Sequence, residues 1–250
     1  MHSRPVALVT GANKGIGLQI AKDLASKGFK VLVGARNLDL GTIAARSVGQ
    51  DAQAIHLDVT DRASIFAAVK QIDETLGRLD VLVNNAGISN PAKPGTRLEE
   101  VVQLGRLSRI AADDLRIVFE TNVFGVVAVT QAMLPLLRKS SAARVVNISS
   151  ATGSLGLKGD PSNPFRGQVG VYHASKTALN AITQAFAIEL EAAGIKVNAA
   201  CPGFTATDLS NFAEGAGSVE DAAREPVRLA LLDANGPTGT FSNADGYIPW

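Results

Sequence analysis

Tyr172 and Lys176 stand four residues apart in the stretch VYHASKTALNAITQAFAIEL, residues 171–190. Apolar residues recur there at Leu179, Ile182, Ala185, Phe186 and Leu190, a rhythm that predicts an amphipathic helix. A separation of four puts the phenol and the ammonium on one helix face, one turn apart. A cation beside a phenol favours its ionised form and lowers its pKa from about 10. Such a phenol could give up or accept a proton near working pH. Tyr and Lys also meet at this spacing by chance on many helices, so the chemistry depends on what surrounds the pair.

A second constellation lies near the start of the chain. Thr10-Gly11-Ala12-Asn13-Lys14-Gly15-Ile16-Gly17 joins an apolar run, residues 6–10, to a helical one, residues 15–28. Glycines at such a turn let the backbone approach a pyrophosphate, and the helix N-terminus offers free N–H donors and a positive dipole end. The spacing is G-x-x-x-G-x-G rather than the commoner G-x-G-x-x-G. Folds of this kind that bind NAD place an Asp or Glu about 20 residues beyond the glycines to hold the ribose 2′-hydroxyl. Here that place holds Ala35-Arg36-Asn37. A guanidinium suits a 2′-phosphate, and Lys14 adds a second positive charge, so the reading is NADP(H). Asp39 is the counter-argument; it lies further along and reads as a helix cap.

Short β-branched runs alternate with helical ones along the whole chain. Strands are predicted at 6–10, 31–35, within 52–59, at 81–84, 144–149, 195–201 and 238–242. Helices are predicted at 15–28, 61–76, 113–137 and 171–190, with one or two more in 208–232 and another at about 97–110. The pattern predicts an α/β fold: a single Rossmann-type domain over residues 1–250, doubly wound, with a mainly parallel sheet of about seven strands and helices on both faces. Two segments, 88–112 and 151–170, are long loops after strand ends, where open α/β sheets bind ligands, and together with 204–224 they are expected to shape the substrate site. The chain has 250 residues, a net charge of +1 and a single cysteine, Cys201. That balance gives no electrostatic case for nucleic acid or an acidic membrane. One cysteine rules out an intrachain disulfide, and no uncharged run reaches the ~18 to 20 apolar residues of a membrane helix. The expectation is a cytoplasmic protein. His2, His56 and His173 fall in no cluster with metal spacing, so no metal is expected. His173 points about 100° around the helix from Tyr172 and reads as structural or exposed. Cys201 reads as a small core residue without a cation to activate it.

Taken together, TGANKGIG (10–17), NNAG (84–87), Asn122, NISS (147–150), YHASK (172–176) and CPG (201–203) resemble, in order, the short-chain dehydrogenase/reductase family. The resemblance spans nearly the whole chain. It implies hydride transfer between a nicotinamide and a carbonyl or alcohol, with Tyr172 as general acid in reduction and general base in oxidation. Lys176 would lower the tyrosine pKa and hold the nicotinamide ribose. Ser150, rather than its neighbour Ser149, would hydrogen-bond the substrate oxygen. Asn122 would hold a water that relays protons from the lysine, and its surroundings, Val118, Phe119, Val123, Phe124 and Val126, suggest burial. Asp58 and Val59 would border the adenine, although Asp58 reads nearly as well as a cap of the following turn. Asn85, Ala86 and Gly87 would run behind the adenosine ribose; Pro202, Gly203, Thr205 and Thr207 would brace the nicotinamide.

Two departures from the family's pattern matter. Ser150 and Tyr172 are 22 positions apart (172 − 150), further than in compact members, with LKGDPSNPFRG inserted between them. The chain closes on FSNADGYIPW rather than a glycine-rich aspartate turn. Monomer, dimer and tetramer all stay open. Lys14 and Arg36 look more like the carbonyl-reductase type, acting on a small-molecule ketone or aldehyde. The alternatives are a 3-oxoacyl thioester (carrier protein) reductase and a non-catalytic NADP sensor on the same fold.

Overall fold

The computed structural model describes residues 4–90, 96, 98–163 and 166–250. His2, prolines 91 and 94, Arg97, Pro164 and Phe165 therefore lie outside the described residues. Eight strands form one sheet in the order β3-β2-β1-β4-β5-β6-β7-β8. They are β1 (Val6–Thr10), β2 (Lys30–Ala35), β3 (Ala52–His56), β4 (Val81–Asn84), β5 (Arg144–Ile148), β6 (Lys196–Ala200), β7 (Phe241–Asn243) and β8 (Gly246–Tyr247). Every pairing is parallel except β7 with β8. The eighth strand, beyond the seven expected, is two residues of a hairpin, too short to show periodicity.

The helices are α1 (Gly15–Ser26), α2 (Leu38–Val48), α3 (Arg62–Leu76), α4 (Leu98–Leu104), α5 (Ala112–Phe119), α6 (Gly125–Leu137), α7 (Leu155–Gly159), α8 (Val171–Glu189) and α9 (Val219–Ala230). Successive strand side chains point to opposite faces, so an all-apolar run must be covered on both. Val6, Leu8, Leu32, Leu82, Val145 and Val197 join side chains of α3, α6 and α8 in one core. Ala7, Val9, Val31, Val33, Val83 and Val146 join α1, α2 and α9 in the other. β1 lies between β2 and β4, where the strand order reverses, and the carboxyl ends of β1 and β4 open the ligand crevice of such a sheet.

Several boundaries differ from expectation. β3 stops at His56, so Asp58 and Val59 lie on the turn beyond it. Asn37, not Asp39, caps α2: its side chain accepts from Leu40 N at 3.0 Å, while Asp39 sits in the first turn. Asp61 and Gly77 (φ +73°) bound α3 as their residue types predict. The 208–232 stretch becomes a single 3₁₀ turn, Asp208–Ser210, followed by α9. The helix predicted over 113–137 is broken in register by a π turn, Glu120–Phe124, between α5 and α6. By length and hydropathy the 26 residues Ala112–Leu137 could cross a bilayer. Here Val118, Val126, Val129, Met133, Leu136 and Leu137 are buried in the core.

Candidate active site

Tyr172 and Lys176 occupy the first turns of α8, with the Lys176 ammonium 5.5 Å from the centre of the Tyr172 ring. Lys176 Nζ donates to the Ile148 carbonyl at 2.7 Å, so the last residue of β5 fixes the amine under the phenol. The next turn belongs to Ser150, which caps the 3₁₀ turn Ala151–Gly153. Ser150 Oγ accepts from Thr152 Oγ1 at 2.9 Å and from Thr152 N at 3.3 Å. With its lone pairs so engaged, its own proton is left to donate, and the hydroxyl lies near enough to the Tyr172 phenol to pull its pKa down. Ser149 faces the other way, donating to Asn180 Oδ1 at 2.5 Å inside the protein. The Ser150 turn lies directly on α8. A Cβ on Gly153 would come within 2.7 Å of the Lys176 carbonyl carbon and 2.8 Å of its Cβ, so only glycine permits this approach.

The electrostatics differ from the simple helical-pair expectation. Burial pushes the Tyr172 phenol above its ordinary value rather than below it; Cys201 adds to the rise and the Ser150 hydrogen bond opposes it. The reason is tertiary: the pair is desolvated together, and burial lowers Lys176 from 10.5 to about 8. Cys201 is buried, as expected, but it is not without a cation. Lys176 acts on it, although burial outweighs that pull and the thiol is raised. Ala151 N donates to Cys201 Sγ at 3.1 Å.

A lysine whose folded pKa lies below its unfolded one destabilises the fold wherever it must be protonated on folding. The penalty is full below about pH 8, shrinks as pH rises from 8 towards 10.5, and is gone above. Lys176→Met removes it, a difference on the order of 3 kcal/mol at neutral pH before the lost Ile148 hydrogen bond is counted. Cys201 and Tyr172, both raised, act with the opposite sign at alkaline pH. Removing Lys176 also removes its pull on Cys201, which raises the thiol further and costs the variant stability at alkaline pH, in the same direction. The variant's melting temperature relative to wild type is therefore expected to fall as pH goes from 7.5 to 10. A constant difference would show that Lys176 carries no such penalty.

Asn122 lies in the π turn and is fully buried. Its Nδ2 donates to Ile88 O at 2.8 Å and to Ser175 Oγ at 3.0 Å, and its Oδ1 accepts from Ile88 N at 2.9 Å. The amide thus completes the backbone of the segment after β4, in the manner a buried amide requires. A Cβ on Gly87 would lie 3.3 Å from Asn122 Oδ1 and 3.6 Å from Lys176 Nζ, so the two groups face one another across that glycine. Gly125 lets the same helix approach the third strand's exit, since a Cβ there would lie 2.9 Å from Val59 O.

The glycine loop forms a cradle at the end of β1. Gly11 (φ +62°) and Gly15 (φ +58°) take left-handed backbone that favours glycine. A Cβ on Gly17 would meet Asn85 Nδ2 at 2.4 Å and Gly11 O at 2.9 Å. Lys14 precedes α1 without a side-chain cap, which leaves the first N–H groups of the helix to a ligand. Asn13 is half-buried and Ile16 packs against the core under α1. These features fit a dinucleotide pyrophosphate. Asn85 holds the loop in place: its Nδ2 donates to Thr10 O at 2.9 Å and Gly11 O at 3.1 Å. Ala86 follows it, donating from its backbone to Thr10 Oγ1 at 3.0 Å. Arg36 is exposed at the end of β2 and forms no ion pair among the described residues. Lys14 pairs instead with Asp208 at 3.0 Å, both side chains well exposed. Asp58 Oδ1 accepts from Thr60 N at 2.9 Å and Thr60 Oγ1 at 2.7 Å, which is the turn-capping alternative.

On the sixth strand's exit, Thr205 Oγ1 donates to the carbonyls of Pro202 and Gly203 at 3.3 Å. Thr207 caps the 3₁₀ turn that follows and its Cγ2 lies 3.5 Å from a Cβ built on Gly15. The segment expected to brace a nicotinamide therefore lies against the glycine loop. His173 Nε2 is buried without a hydrogen-bond partner among the described residues, and burial and the Lys158 charge hold the imidazole below its ordinary pKa. No group of three metal-binding side chains occurs among the described residues.

Two features under the site have no counterpart in the motif reading. Thr10 Oγ1 accepts from both Asn85 N and Ala86 N at 3.0 Å, joining β1 to β4 at the mouth of the crevice. Asn84 Nδ2 donates to Thr130 Oγ1 at 3.0 Å and Asn147 Oδ1 at 2.8 Å, and Asn147 Nδ2 donates to Thr183 Oγ1 at 2.8 Å. This buried ladder ties β4, β5, α6 and α8 together. The signal for it was present: asparagine in two otherwise apolar buried runs.

A doubly wound sheet with a glycine cradle at its switch point and a Ser–Tyr–Lys cluster beside it defines a nucleotide-dependent oxidoreductase. Residues 5–215 match the short chain dehydrogenase family, and the chain belongs to it. The chain is 37% identical over 238 residues to the short-chain dehydrogenase anuI of Penicillium roqueforti, covering 91% of this chain and 89% of that one. It is 33% identical to (-)-isopiperitenone reductase of Mentha piperita, covering 96% of each. Among solved structures it is similar to 3-ketoacyl-(acyl-carrier-protein) reductase from Brucella melitensis complexed with NADH. That likeness has a TM-score of 0.79 and 26% identity over 96% of each chain.

Proposed function

We propose that this protein is an NADPH-dependent carbonyl reductase acting on an apolar ketone or aldehyde, with Tyr172 as the proton donor. The observation that carries the reading is the Ser150–Tyr172–Lys176 cluster, seated beside the glycine cradle at the carboxyl ends of the central strands. When bound, the reduced nicotinamide supplies the hydride to the carbonyl carbon. Tyr172, held protonated by burial, donates its proton to the carbonyl oxygen as negative charge develops there. Ser150 Oγ donates to the same oxygen, and the Lys176 cation stabilises the phenolate left behind. Asn122 fixes Ile88 and Ser175 around the lysine. Arg36, unpaired at the end of β2, supports the choice of NADPH over NADH, with Lys14 within reach if it leaves Asp208. Leu155, Val169, Phe204, Leu209 and Phe212 are exposed on the loops that follow the site strands, which supports an apolar substrate.

The test is NADPH oxidation against ketones, aldehydes and carrier-linked 3-oxoacyl thioesters. Turnover of free ketones or aldehydes in preference to the thioesters is the expected result. Preference for the thioesters would make it a carrier-protein reductase, the activity of the Brucella neighbour. Tight NADPH binding without any turnover would make it a sensor.

A further inference from the structure

Residues 248–250 follow the last strand and return to the back of the active site. Trp250 stacks on Phe241 of β7, with ring centres 5.6 Å apart and planes 24° from parallel. Ile248 N donates to Phe241 O at 2.8 Å. Ile248 and Trp250 pack with Ala151 on a small core of Ala199, Cys201 and Phe241, separate from the two main ones. Ala151 is the residue after Ser150, and its N–H is bonded to Cys201 Sγ at 3.1 Å. One layer of side chains therefore separates this tail from the Ser150–Tyr172 pair.

The tail also holds α7. Ser154 Oγ donates to the Pro249 carbonyl, and Gly156 N donates to the Trp250 carbonyl at 2.8 Å. Ser154 Oγ at the same time accepts from Leu157 N at 3.0 Å, capping α7. A Cβ on Gly156 would lie 3.0 Å from Pro249 Cβ and 3.3 Å from the Trp250 carbonyl oxygen, so a side chain there would crowd residues 249 and 250. The rest of the insertion hangs on this helix: Lys158 Nζ donates to Gln168 O at 2.8 Å and Asn163 Nδ2 to Leu157 O at 2.9 Å.

We propose that Ile248, Pro249 and Trp250 form a strap that positions the Ser150 turn and α7, and thereby sets which carbonyl substrates the site accepts. Trp250 and Gly156 are positioning residues that act through the loop. The substrate half of the inference rests on the carbonyl-reductase reading; the mechanical half does not.

Four variants test it: Trp250→Ala, Trp250→Phe, Gly156→Ala and the double Trp250→Ala/Gly156→Ala. Three readouts are compared: amide hydrogen exchange over residues 151–157, NADPH affinity from a fluorescence titration, and kcat/KM for a small and a bulky ketone. Trp250→Ala and Gly156→Ala each speed exchange of 151–157. Each also lowers kcat/KM for the two ketones unequally, by about tenfold for the more affected, with NADPH affinity unchanged. The double variant is no worse than the worse single one, because both break one contact. Trp250→Phe, which keeps a stacked ring, restores most of the loss. Unchanged exchange in Trp250→Ala would overturn the strap. So would a loss equal for both substrates that follows melting temperature, or a Phe variant no better than Ala. If the wild type turns over no carbonyl, the functional reading fails while the exchange measurement still decides the strap.

Discussion

Tyr172→Phe lowers turnover about 10²–10⁴-fold, the range that positioned acid–base catalysis contributes. NADPH affinity, measured by titration of its fluorescence, stays at the wild-type value. The substitution deletes one oxygen, near the Ser150 hydroxyl, so the fold loses at most a hydrogen bond. The ring remains over Lys176, and Lys176 keeps its bond to Ile148 O. Burial holds the phenol protonated through the neutral range, which is the state an acid needs at the start of a reduction. The penalty for ionising it is met only as the substrate oxygen becomes basic, with the Lys176 cation in place below about pH 8. A residual rate above about a hundredth of wild type would remove Tyr172 from the role of acid.

The parts of this site that the sequence made legible are those set by local rules. Val6–Val9 is continuously apolar because β1 is covered on both faces, and such runs separated by 3.6-periodic stretches identify a parallel sheet. Gly11, Gly15 and Gly17 stand where a strand must turn into a helix around a ligand, and backbone angles and close contacts account for each. Two poor helix formers, Asn122 and Gly125, stand in one turn, and there the helix takes a π turn. What stayed hidden depends on register and burial. Asn84 and Asn147 face each other because β4 and β5 align them as partners, which neither strand reveals alone. The Tyr172 shift has the opposite sign from the helical-pair argument because tertiary packing buries the phenol, with Cys201, 29 residues away (201 − 172), adding to the rise. Asp39 lost the cap of α2 because Asn37 stands two residues earlier, where the backbone is already extended.

Arg36→Asp is expected to reverse the cofactor preference. Arg36 follows the last residue of β2, at the position where NAD-binding folds carry an acid for the ribose 2′-hydroxyl. A charge-assisted hydrogen bond contributes about 1.5–3 kcal/mol. Two such bonds to a 2′-phosphate, partly offset by solvent at this exposed site, amount to roughly a hundredfold in NADPH affinity. The aspartate removes that attraction, repels the phosphate and accepts from the free 2′-hydroxyl of NADH, so the ratio of kcat/KM values inverts. Lys14 bears on the size of the change. In the structure it is paired with Asp208, and part of its attraction for a phosphate is spent on breaking that pair. Lys14→Ala is therefore expected to weaken NADPH binding less than Arg36→Asp, and Asp208→Asn to strengthen it slightly. If selectivity in Arg36→Asp matches wild type while Lys14→Ala abolishes it, the 2′-phosphate is read from the glycine loop. The end of β2 would then have no part in the choice.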